Sequence, residues 1–215
     1  MQHAQSEKKG ETRERIIQAA KDVFAEQGFA GARVDEIASR AGVNKAALYY
    51  HIGDKQALYA EVLHDVIGAT AARLSKDIAA QTDPEQKLRA YIRSFAAALD
   101  ANPQMPRIMM REIASDGVNL PQVFFDDIAL ILQSVVGIID EGAKAGVFVK
   151  TVPVLVHTMT VGALIFSKLI GPMVMSHPRI REAVKDMDDD FLAHGNDEIE
   201  RLVLRSIKQS GSSRR

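Results

Sequence analysis

The proline residues of this chain are confined to its later part, and this distribution constrains its fold. All seven lie at position 84 or beyond, and the residues before Pro84 are rich in Ala, Glu, Lys, Gln and Leu. These residue types favour helices, and single glycines are the main breaks among them. The pattern predicts continuous short helices before Pro84, and no segment after it indicates a convincing strand, so we expect an all-α fold.

Apolar residues recur at one-face helical spacing in the front part of the chain. The first predicted helix begins at Thr12, which can cap it, and ends at Gly28. A second helix of two turns is stopped by Gly42. Asn44 then caps a third short helix that spans 45–51.

The later part of the chain is divided by Pro, Gly, Asn and Asp. Asp54 can cap a long fourth helix, and the run 147–149 is interpreted as a connector because it is too short for a strand. Five further helices are predicted at about 84–100, 104–115, 121–145, 152–174 and 196–209. We expect a three-helix domain over 10–55, an antiparallel helical bundle over 56–209, and flexible tails over 1–9 and 210–215.

Composition excludes several kinds of site and location. The chain has no Cys, which excludes disulfides and cysteine metal sites and favours the cytoplasm. Its 27 basic and 28 acidic residues give no global field, so any nucleic-acid binding must be local. The longest charge-free apolar stretch, 151–167, is closed by Lys168 below spanning length, so we expect a buried helix and no membrane partner.

The second and third predicted helices have the layout of a DNA-binding helix-turn-helix. Both are short, the turn between them carries Gly42, and the second of the pair is capped by Asn44. The spacing alone would also suit any three-helix bundle.

The residues themselves resemble a known family. From Val34 to Leu58 the chain reads VDEIASRAGVNKAALYYHIGDKQAL. This segment strongly resembles the N-terminal domain of the TetR family of one-component transcriptional repressors. Upstream, TRERIIQAA from Thr12, followed by Phe24, is similar to the first helix of that family. The resemblance covers about residues 10–62.

The resemblance implies roles for individual residues on double-stranded DNA. It makes 35–41 the supporting helix and 45–51 the recognition helix. It places Lys45, Ala46, Ala47 and Tyr49 towards the major groove, and Tyr50, His51 and Lys55 near phosphates. The charge of a lysine at a helix N-terminus adds to the helix dipole, whereas alanines can touch only apolar features such as thymine methyl groups. Alternatively, Tyr49 is a half-buried ring, His51 an ordinary histidine and Lys55 a solvated charge.

One position departs from the family pattern. The family commonly has a small hydroxyl residue shortly before the supporting helix, where this chain has Ala32 and Arg33. Arg33 can still meet a phosphate through its guanidinium group, but the helix cap is in doubt. Asp35 is the alternative cap.

A dimeric helix-turn-helix protein needs a self-complementary surface, because it binds two half-sites related by twofold symmetry. The predicted helices 152–174 and 196–209 are the candidates for a homodimer interface. The first is apolar nearly all round, and the second carries a narrow apolar stripe. The alternative is that both helices close the core of a monomer.

A pocket for an unknown, apolar small-molecule effector is expected among the middle helices. Methionine and phenylalanine suit an adaptable apolar pocket, and one histidine could serve as its polar handle. The candidates are Met105, Met109, Phe124, Phe125, His157 and Phe166, with Met110 and Met159 beside them. The alternative is that these residues belong to an ordinary core.

The acidic run near the C-terminus imitates the start of a calcium loop. Asp186, Asp188 and Asp190 have the spacing, but Phe191 replaces the turn glycine and Asp197 the final glutamate, so a solvated linker is preferred. An enzyme on a helical bundle would use this run or His157 as its site. The chain has no metal-spaced His pair, phosphate loop or nucleophile elbow, so we expect no catalytic residue, metal or cofactor.

Together, the pattern and the resemblance imply a bacterial transcriptional repressor. It would bind a palindromic operator as a homodimer and be released by a small molecule. The alternatives are a helical-bundle protein that only binds small molecules, and a regulator without small-molecule induction.

Overall fold

The computed structural model describes residues 2–183 and 191–209. In these residues helices are the only regular elements, and the all-α prediction is confirmed. The ten helices of the described residues are α1 (Gln2–Gly31), α2 (Val34–Arg40), α3 (Lys45–His51), α4 (Lys55–Ala79), α5 (Pro84–Ala101), α6 (Met105–Ala114), α7 (Gln122–Lys144), α8 (Pro153–Met175), α9 (Pro178–Ala183) and α10 (Phe191–Ile207).

Helix α1 is longer than the sequence predicted. It starts at Gln2, so the predicted start at Thr12 is wrong, and residues 2–9 are helical where a loose tail was expected. The added segment is made of helix formers, and the single Gly10 costs only about 1 kcal/mol in a helix interior. At the other end Gly28 has φ 71° and ψ 174°, a conformation that suits glycine, and the regular helix is interrupted there as predicted.

The predicted caps of two helices are confirmed. The Asn44 side chain accepts a hydrogen bond from the backbone N–H of Ala47 at 2.7 Å, and so begins α3. The Asp54 side chain accepts from the backbone N–H of Ala57 at 2.8 Å, and so begins α4. Both bonds satisfy donors that the first turn of a helix leaves without partners.

The later helices lie within a residue or two of their predicted bounds, with two differences. Helix α10 begins five residues earlier than predicted, at Phe191, and α9 has only six residues, too few for a periodic pattern. The connector 147–149 forms a single antiparallel bridge, between Phe148 and Lys208. Asp186, Asp188 and Asp190, like the predicted tail 210–215, lie outside the described residues.

The chain divides into two compact units. Unit 1 comprises the residues up to Ala69 together with Gln104–Asp127. Unit 2 comprises Thr70–Pro103 and the residues from Ile128 onward. Unit 1 is discontinuous in sequence because α6 packs against α1.

Each unit has its own apolar core. In unit 1 it includes Ile16, Ala20, Val23, Phe24, Ile37, Leu48, Leu58, Tyr59 and Val62. In unit 2 it includes Leu74, Leu88, Tyr91, Ile92, Ile131, Val135, Phe148, Val156, Leu164 and Val203. Within unit 2, α8 packs against both α5 and α10.

Two helices of the described residues are long and apolar enough to cross a membrane. These are Gln122–Lys144 and Pro153–Val174, which satisfy the requirement by length and composition only. The second begins within the 151–167 stretch that the sequence placed below spanning length and continues beyond it, because the single Lys168 does not interrupt the helix. Long helices of soluble proteins satisfy the same requirement, so this is weak evidence of a membrane span.

Close packing in unit 2 depends on the absence of a side chain at one glycine. A Cβ atom at Gly142 of α7 would overlap the ring of Phe148, which is almost fully buried. A Cβ atom at Gly137, on the same helix, would meet no atom within 4 Å.

We therefore predict opposite effects for the same substitution at these two glycines. Gly142→Ala should lower the free energy of unfolding by about 1–3 kcal/mol, because the ring must move in a packed core. Gly137→Ala should raise it by up to about 1 kcal/mol, because alanine is the better helix former. Urea unfolding followed by circular dichroism would measure both, and equal effects would show that Phe148 shifts without cost.

Candidate nucleic-acid interface

The helix-turn-helix is assembled on α1. Helices α2 and α3 pack against α1 and against each other. Ile37 of α2 and Leu48 of α3 are fully buried. Gly42, in the turn between them, has φ 65°, which other residues rarely adopt. The turn that the sequence predicted is thus held by burial on both sides.

The outward side of α3 presents most of the predicted recognition residues. Lys45 and Ala46 are exposed, and Ala47 is half-buried. Tyr49 and Tyr50 have 44% and 76% of their surface exposed, which is unusual for tyrosine. Both side chains are available to a partner, but more than half of the surface of Tyr49 is covered, so its half-buried alternative stays open.

The first residue of the recognition helix is held by an acidic neighbour. Lys45 Nζ lies 2.9 Å from a carboxylate oxygen of Asp35 in α2. This hydrogen bond and the nearby negative charge raise the pKa of Lys45. Arg33 is exposed and has no ion-pair partner in the described part of the chain. Arg33 is therefore the freer of the two cations.

His51 and Lys55 are less available than the resemblance implies. Lys55 Nζ donates to the backbone oxygen of Ala30 at 3.3 Å and lies 4.7 Å from the ring centroid of Phe29. It fastens the start of α4 to the end of α1, so Lys55 is not simply a solvated charge. The Nδ1 atom of His51 is buried and has no hydrogen-bond partner.

Lys9 is a further cation at this surface that sequence reasoning missed. Its Nζ atom lies 5.3 Å from the ring centroid of Tyr50, a cation–π distance. The segment had been assigned to a tail, and only the structure shows that α1 continues through it. The adjacent lysines at positions 8 and 9 were the available signal.

The start of α2 lacks a side-chain cap. Arg33 occupies the N-cap position with φ −112° and ψ 131° and makes no capping hydrogen bond. The alternative cap Asp35 is wrong, because it lies inside the first turn, where its carboxylate pairs with Lys45. The doubt raised by the missing hydroxyl residue is justified.

The predicted effector residues are divided between the two units. Met105, Met109, Phe124 and Phe125 belong to unit 1, and His157 and Phe166 belong to unit 2. Met105 is 1% exposed and is a core residue. Met109 and Phe124 are half-buried, whereas Phe125 and Phe166 are exposed.

His157 is the best-defined polar candidate in unit 2. Its Nδ1 atom lies 2.5 Å from the hydroxyl of Tyr91, which is fully buried. Burial lowers the pKa of His157 and raises that of Tyr91, so both are neutral near pH 7. If Tyr91 donates this bond, the imidazole proton lies on Nε2, which makes no hydrogen bond in the described part of the chain.

Helix α8 is less buried than its composition indicated. Leu155, Met159, Phe166 and Ile170 are exposed. They recur every three to four residues or a multiple of that, so they lie on one face. Gly162 and Ala163 fall within this face, and a Cβ atom at Gly162 would meet nothing within 4 Å. The helix expected to be buried is therefore buried on one side only in the single chain.

No group of three or more His, Cys, Asp or Glu residues that could hold a metal ion occurs in residues 2–183 and 191–209. The acidic run that prompted the calcium alternative lies outside those ranges.

Comparison with known proteins identifies the helix-turn-helix. Residues 16–62 match the model of the bacterial regulatory proteins of the tetR family. The chain is 34% identical to the HTH-type transcriptional activator FasR of Mycolicibacterium smegmatis over 113 residues, which cover 53% of this chain and 50% of FasR. It is 30% identical to the HTH-type transcriptional regulator RutR of Escherichia coli over 131 residues, 61% of each protein.

The chain thus spans only about half to three-fifths of the length of these relatives. Both are named as regulators of transcription and not as enzymes.

Solved structures share the whole fold. HlyIIR, a hemolysin II transcriptional regulator, has a TM-score of 0.68 at 23% identity, and covers 94% of this chain and 99% of its own. The transcriptional regulator FadR from Bacillus subtilis, in complex with stearoyl-CoA, has a TM-score of 0.67 at 21% identity. The match covers 88% of this chain and 96% of the FadR chain. At these identities the likeness establishes the fold alone.

The uncapped start of α2 leads to a stability prediction. Arg33→Ser supplies a capping hydroxyl at a position whose backbone already has N-cap geometry, whereas Arg33→Ala removes the same charge without a cap. The serine variant should exceed the alanine variant in unfolding free energy by about 0.5–2 kcal/mol. Thermal unfolding of the two variants would measure the difference, and identical stabilities would show that solvent already satisfies these N–H groups.

Proposed function

We propose that this chain is a cytoplasmic, ligand-responsive repressor of transcription in the tetR family of bacterial regulatory proteins, whose model matches residues 16–62. The observation that carries the proposal is the exposed surface of α3, where Tyr49 and Tyr50 are flanked by Lys9, Arg33 and Lys45. Aromatic and cationic side chains in this arrangement suit base edges and phosphates.

On DNA, Lys45 would exchange the carboxylate of Asp35 for a phosphate group. An exposed ion pair contributes little to stability, so giving up or sharing Asp35 costs little compared with the gain from a phosphate contact at a helix N-terminus. Arg33 needs no exchange and can bind a phosphate with two parallel hydrogen bonds. Direct reading of bases would rest on Tyr49 and the methyl groups of Ala46 and Ala47, with DNA shape supplying further specificity.

The proposed oligomer is a homodimer formed through α8 and α10. The exposed face of α8 is an apolar stripe on a helix that already packs on α5 and α10 with its other side. Leu202 of α10 is also exposed. A second copy would cover both, and twofold symmetry would present two α3 helices to half-sites about 34–36 Å apart.

The proposed effector is a largely apolar molecule with a hydrogen-bond acceptor. His157 would supply the donor: if Tyr91 donates to Nδ1, the Nε2–H group remains for a ligand oxygen. FadR from B. subtilis is described in complex with stearoyl-CoA, which makes acyl thioesters the first class to test here. Phe166, which lies in the same unit as His157, is the proposed apolar contact, and Met109, Phe124 and Phe125 of the other unit stay predictions.

Release from DNA would be a shift between conformations of the dimer. A ligand that binds the DNA-incompetent conformation more tightly reduces operator occupancy in proportion to that preference. Helix α4 is the proposed link, because it begins directly after the helix-turn-helix and continues in the chain from residues of unit 1 to residues of unit 2.

Two alternatives remain distinct from this proposal. A helical-bundle protein that only binds small molecules would not select a DNA sequence. A regulator without small-molecule induction would select one but show no ligand response. The following two experiments separate these cases.

Selection of bound sequences from random duplexes should enrich a palindrome. Tyr49→Ala should weaken binding to it and relax specificity. Arg33→Ala should weaken binding to all duplexes alike and reduce the steepness of the salt dependence, because each lost phosphate contact removes about 0.9 from the log–log slope. Fluorescence anisotropy at several salt concentrations measures both effects.

Two controls sharpen the operator experiment. Arg179→Ala removes an exposed arginine of α9 and should change neither affinity nor slope. Met159→Glu should yield monomers in analytical ultracentrifugation and reduce affinity for the full palindrome, because it places a charge in the proposed interface. The absence of any enriched sequence at low salt would rule out the repressor proposal.

The effector proposal predicts that a panel of acyl thioesters, including stearoyl-CoA, weakens operator binding. His157→Asn retains an acceptor for Tyr91 at the Nδ1 position but loses the Nε2 donor. It should weaken the response to an active ligand by about twofold to tenfold, the usual contribution of one hydrogen bond, and leave operator affinity unchanged.

His177→Asn, at an exposed histidine, is the matched control and should behave as the unaltered chain. Operator affinity that no ligand of the panel changes would contradict induction by acyl thioesters. An identical response of the His157 and His177 variants would remove His157 from the effector site.

A further inference from the structure

A network of arginines around one buried carboxylate lies on the α5–α10 side of unit 2. Glu200 of α10 is only 4% exposed. It accepts two hydrogen bonds from Arg93, at 2.7 and 3.1 Å, and one from Arg89 at 2.5 Å. Both guanidinium groups are thereby held in fixed positions on α5.

A second carboxylate continues the network to the end of the described chain. Glu85 accepts from Arg89 and from Lys208, each at 2.8 Å. These cations lower the pKa of Glu85, so it remains charged well below neutral pH. Arg201 is bonded to Glu198 at 2.7 Å. Arg205 has no ion-pair partner in residues 2–183 and 191–209.

Cations exceed carboxylates in this network. The cations are Arg89, Arg93, Arg201, Arg205 and Lys208, and the carboxylates bonded to them are Glu85, Glu198 and Glu200. Asp197 acts on Arg93 only as a weaker, more distant charge. An uncompensated excess of positive charge therefore remains in a chain whose net charge is −1.

The excess positive charge lies at a concave surface. A cleft of about 330 Å³ is lined by Arg89, Arg201, Arg205 and Lys208, with the single lining carboxylate of Glu85 and the buried side chain of Leu204. The positive end of α5 and the negative end of α10 are both close to it and offset each other. The side chains therefore set the field in the cleft.

We propose that the α5–α10 cleft binds a dianionic phosphate group carried by a small molecule, at a site separate from the proposed DNA surface and effector residues. A phosphate monoester carries about −1.5 to −2 charges at pH 7, which matches the excess. Arginine forks that Glu198 and Glu200, outside the cleft lining, hold in place bind phosphate oxygens with two parallel hydrogen bonds and little loss of side-chain freedom. A concave cleft of this volume suits a compact molecule better than a duplex.

An ion-pair network that only stabilised the packing of α10 on α5 would need no excess cation. It would not require Arg205, and its carboxylates would strengthen the assembly. In a phosphate site, by contrast, Glu85 competes with the ligand for Arg89 and Lys208. If the network is only structural, removing the charge of Glu85 weakens the packing of α10 on α5. If the cleft is a phosphate site, removing the same charge tightens phosphate binding.

Isothermal titration of the full chain with phenyl phosphate, in buffer free of phosphate and sulfate, tests the site. The double variant Arg201→Gln with Arg205→Gln should weaken binding at least tenfold. Both side chains are exposed, so the fold should persist. Glu85→Gln should tighten binding severalfold. Arg179→Gln, a matched loss of an exposed arginine elsewhere, should leave the affinity unchanged.

Four results would overturn the proposed phosphate site. Phenyl phosphate that binds the unaltered chain no more tightly than the double variant overturns the site, and so does weaker binding by Glu85→Gln. Inorganic phosphate that binds while phenyl phosphate does not would restrict the cleft to the free ion and overturn the small-molecule assignment. A non-operator duplex whose affinity falls by the same factor in the double variant would assign the cleft to nucleic acid and overturn the proposal.

Discussion

The buried carboxylate of Glu112 is the constraint on which unit 1 depends. Glu112 is 3% exposed, and one of its oxygens accepts a hydrogen bond from the Tyr59 hydroxyl at 2.7 Å. Burial and this carboxylate raise the pKa of Tyr59, so the hydroxyl remains a donor. Loss of the Tyr59 hydroxyl while Glu112 stays buried would remove this partner at a considerable cost in free energy, so the bond fixes how Tyr59 of α4 packs on α6.

The same helix α6 also holds the end of α1. Arg111 donates to the backbone oxygens of Ala25 and Glu26 at 3.1 and 2.7 Å, just before the interruption at Gly28. These carbonyl groups would otherwise be without partners at the end of the regular helix. Since α2 and α3 pack on α1, the Tyr59–Glu112 bond and Arg111 together position the recognition helix. A ligand that displaced α6 would therefore have a mechanical route to α3.

Local interactions were predictable from the sequence, and distant ones were not. Asn44 and Asp54 could be identified as caps because each bonds to an N–H three residues ahead. Tyr59 and Glu112, which bond to each other, are 53 residues apart in the sequence, and no spacing rule connects them. Composition predicted an apolar α8 but could not reveal which face is left uncovered, because burial depends on the neighbours of a helix. For Lys9, the error was to treat a charged N-terminal segment as a tail.

The nearly neutral chain distributes its charges unevenly, and this has a consequence for DNA affinity. Arg40 is bonded to both Glu26 and Glu36, and Arg13 to Glu61, so these arginines of unit 1 are already compensated. Exposed cations of unit 1 without a carboxylate partner in the described residues include Lys9, Arg15 and Arg33, and Lys45 is shared with Asp35. Because each phosphate contact contributes about 0.9 to the log–log salt slope, a small number of contacts would give moderate affinity and a shallow dependence on salt. In the proposed homodimer, specificity would then come from DNA shape and from two half-sites read together, which would make the dimer interface as important to recognition as the tyrosines on α3.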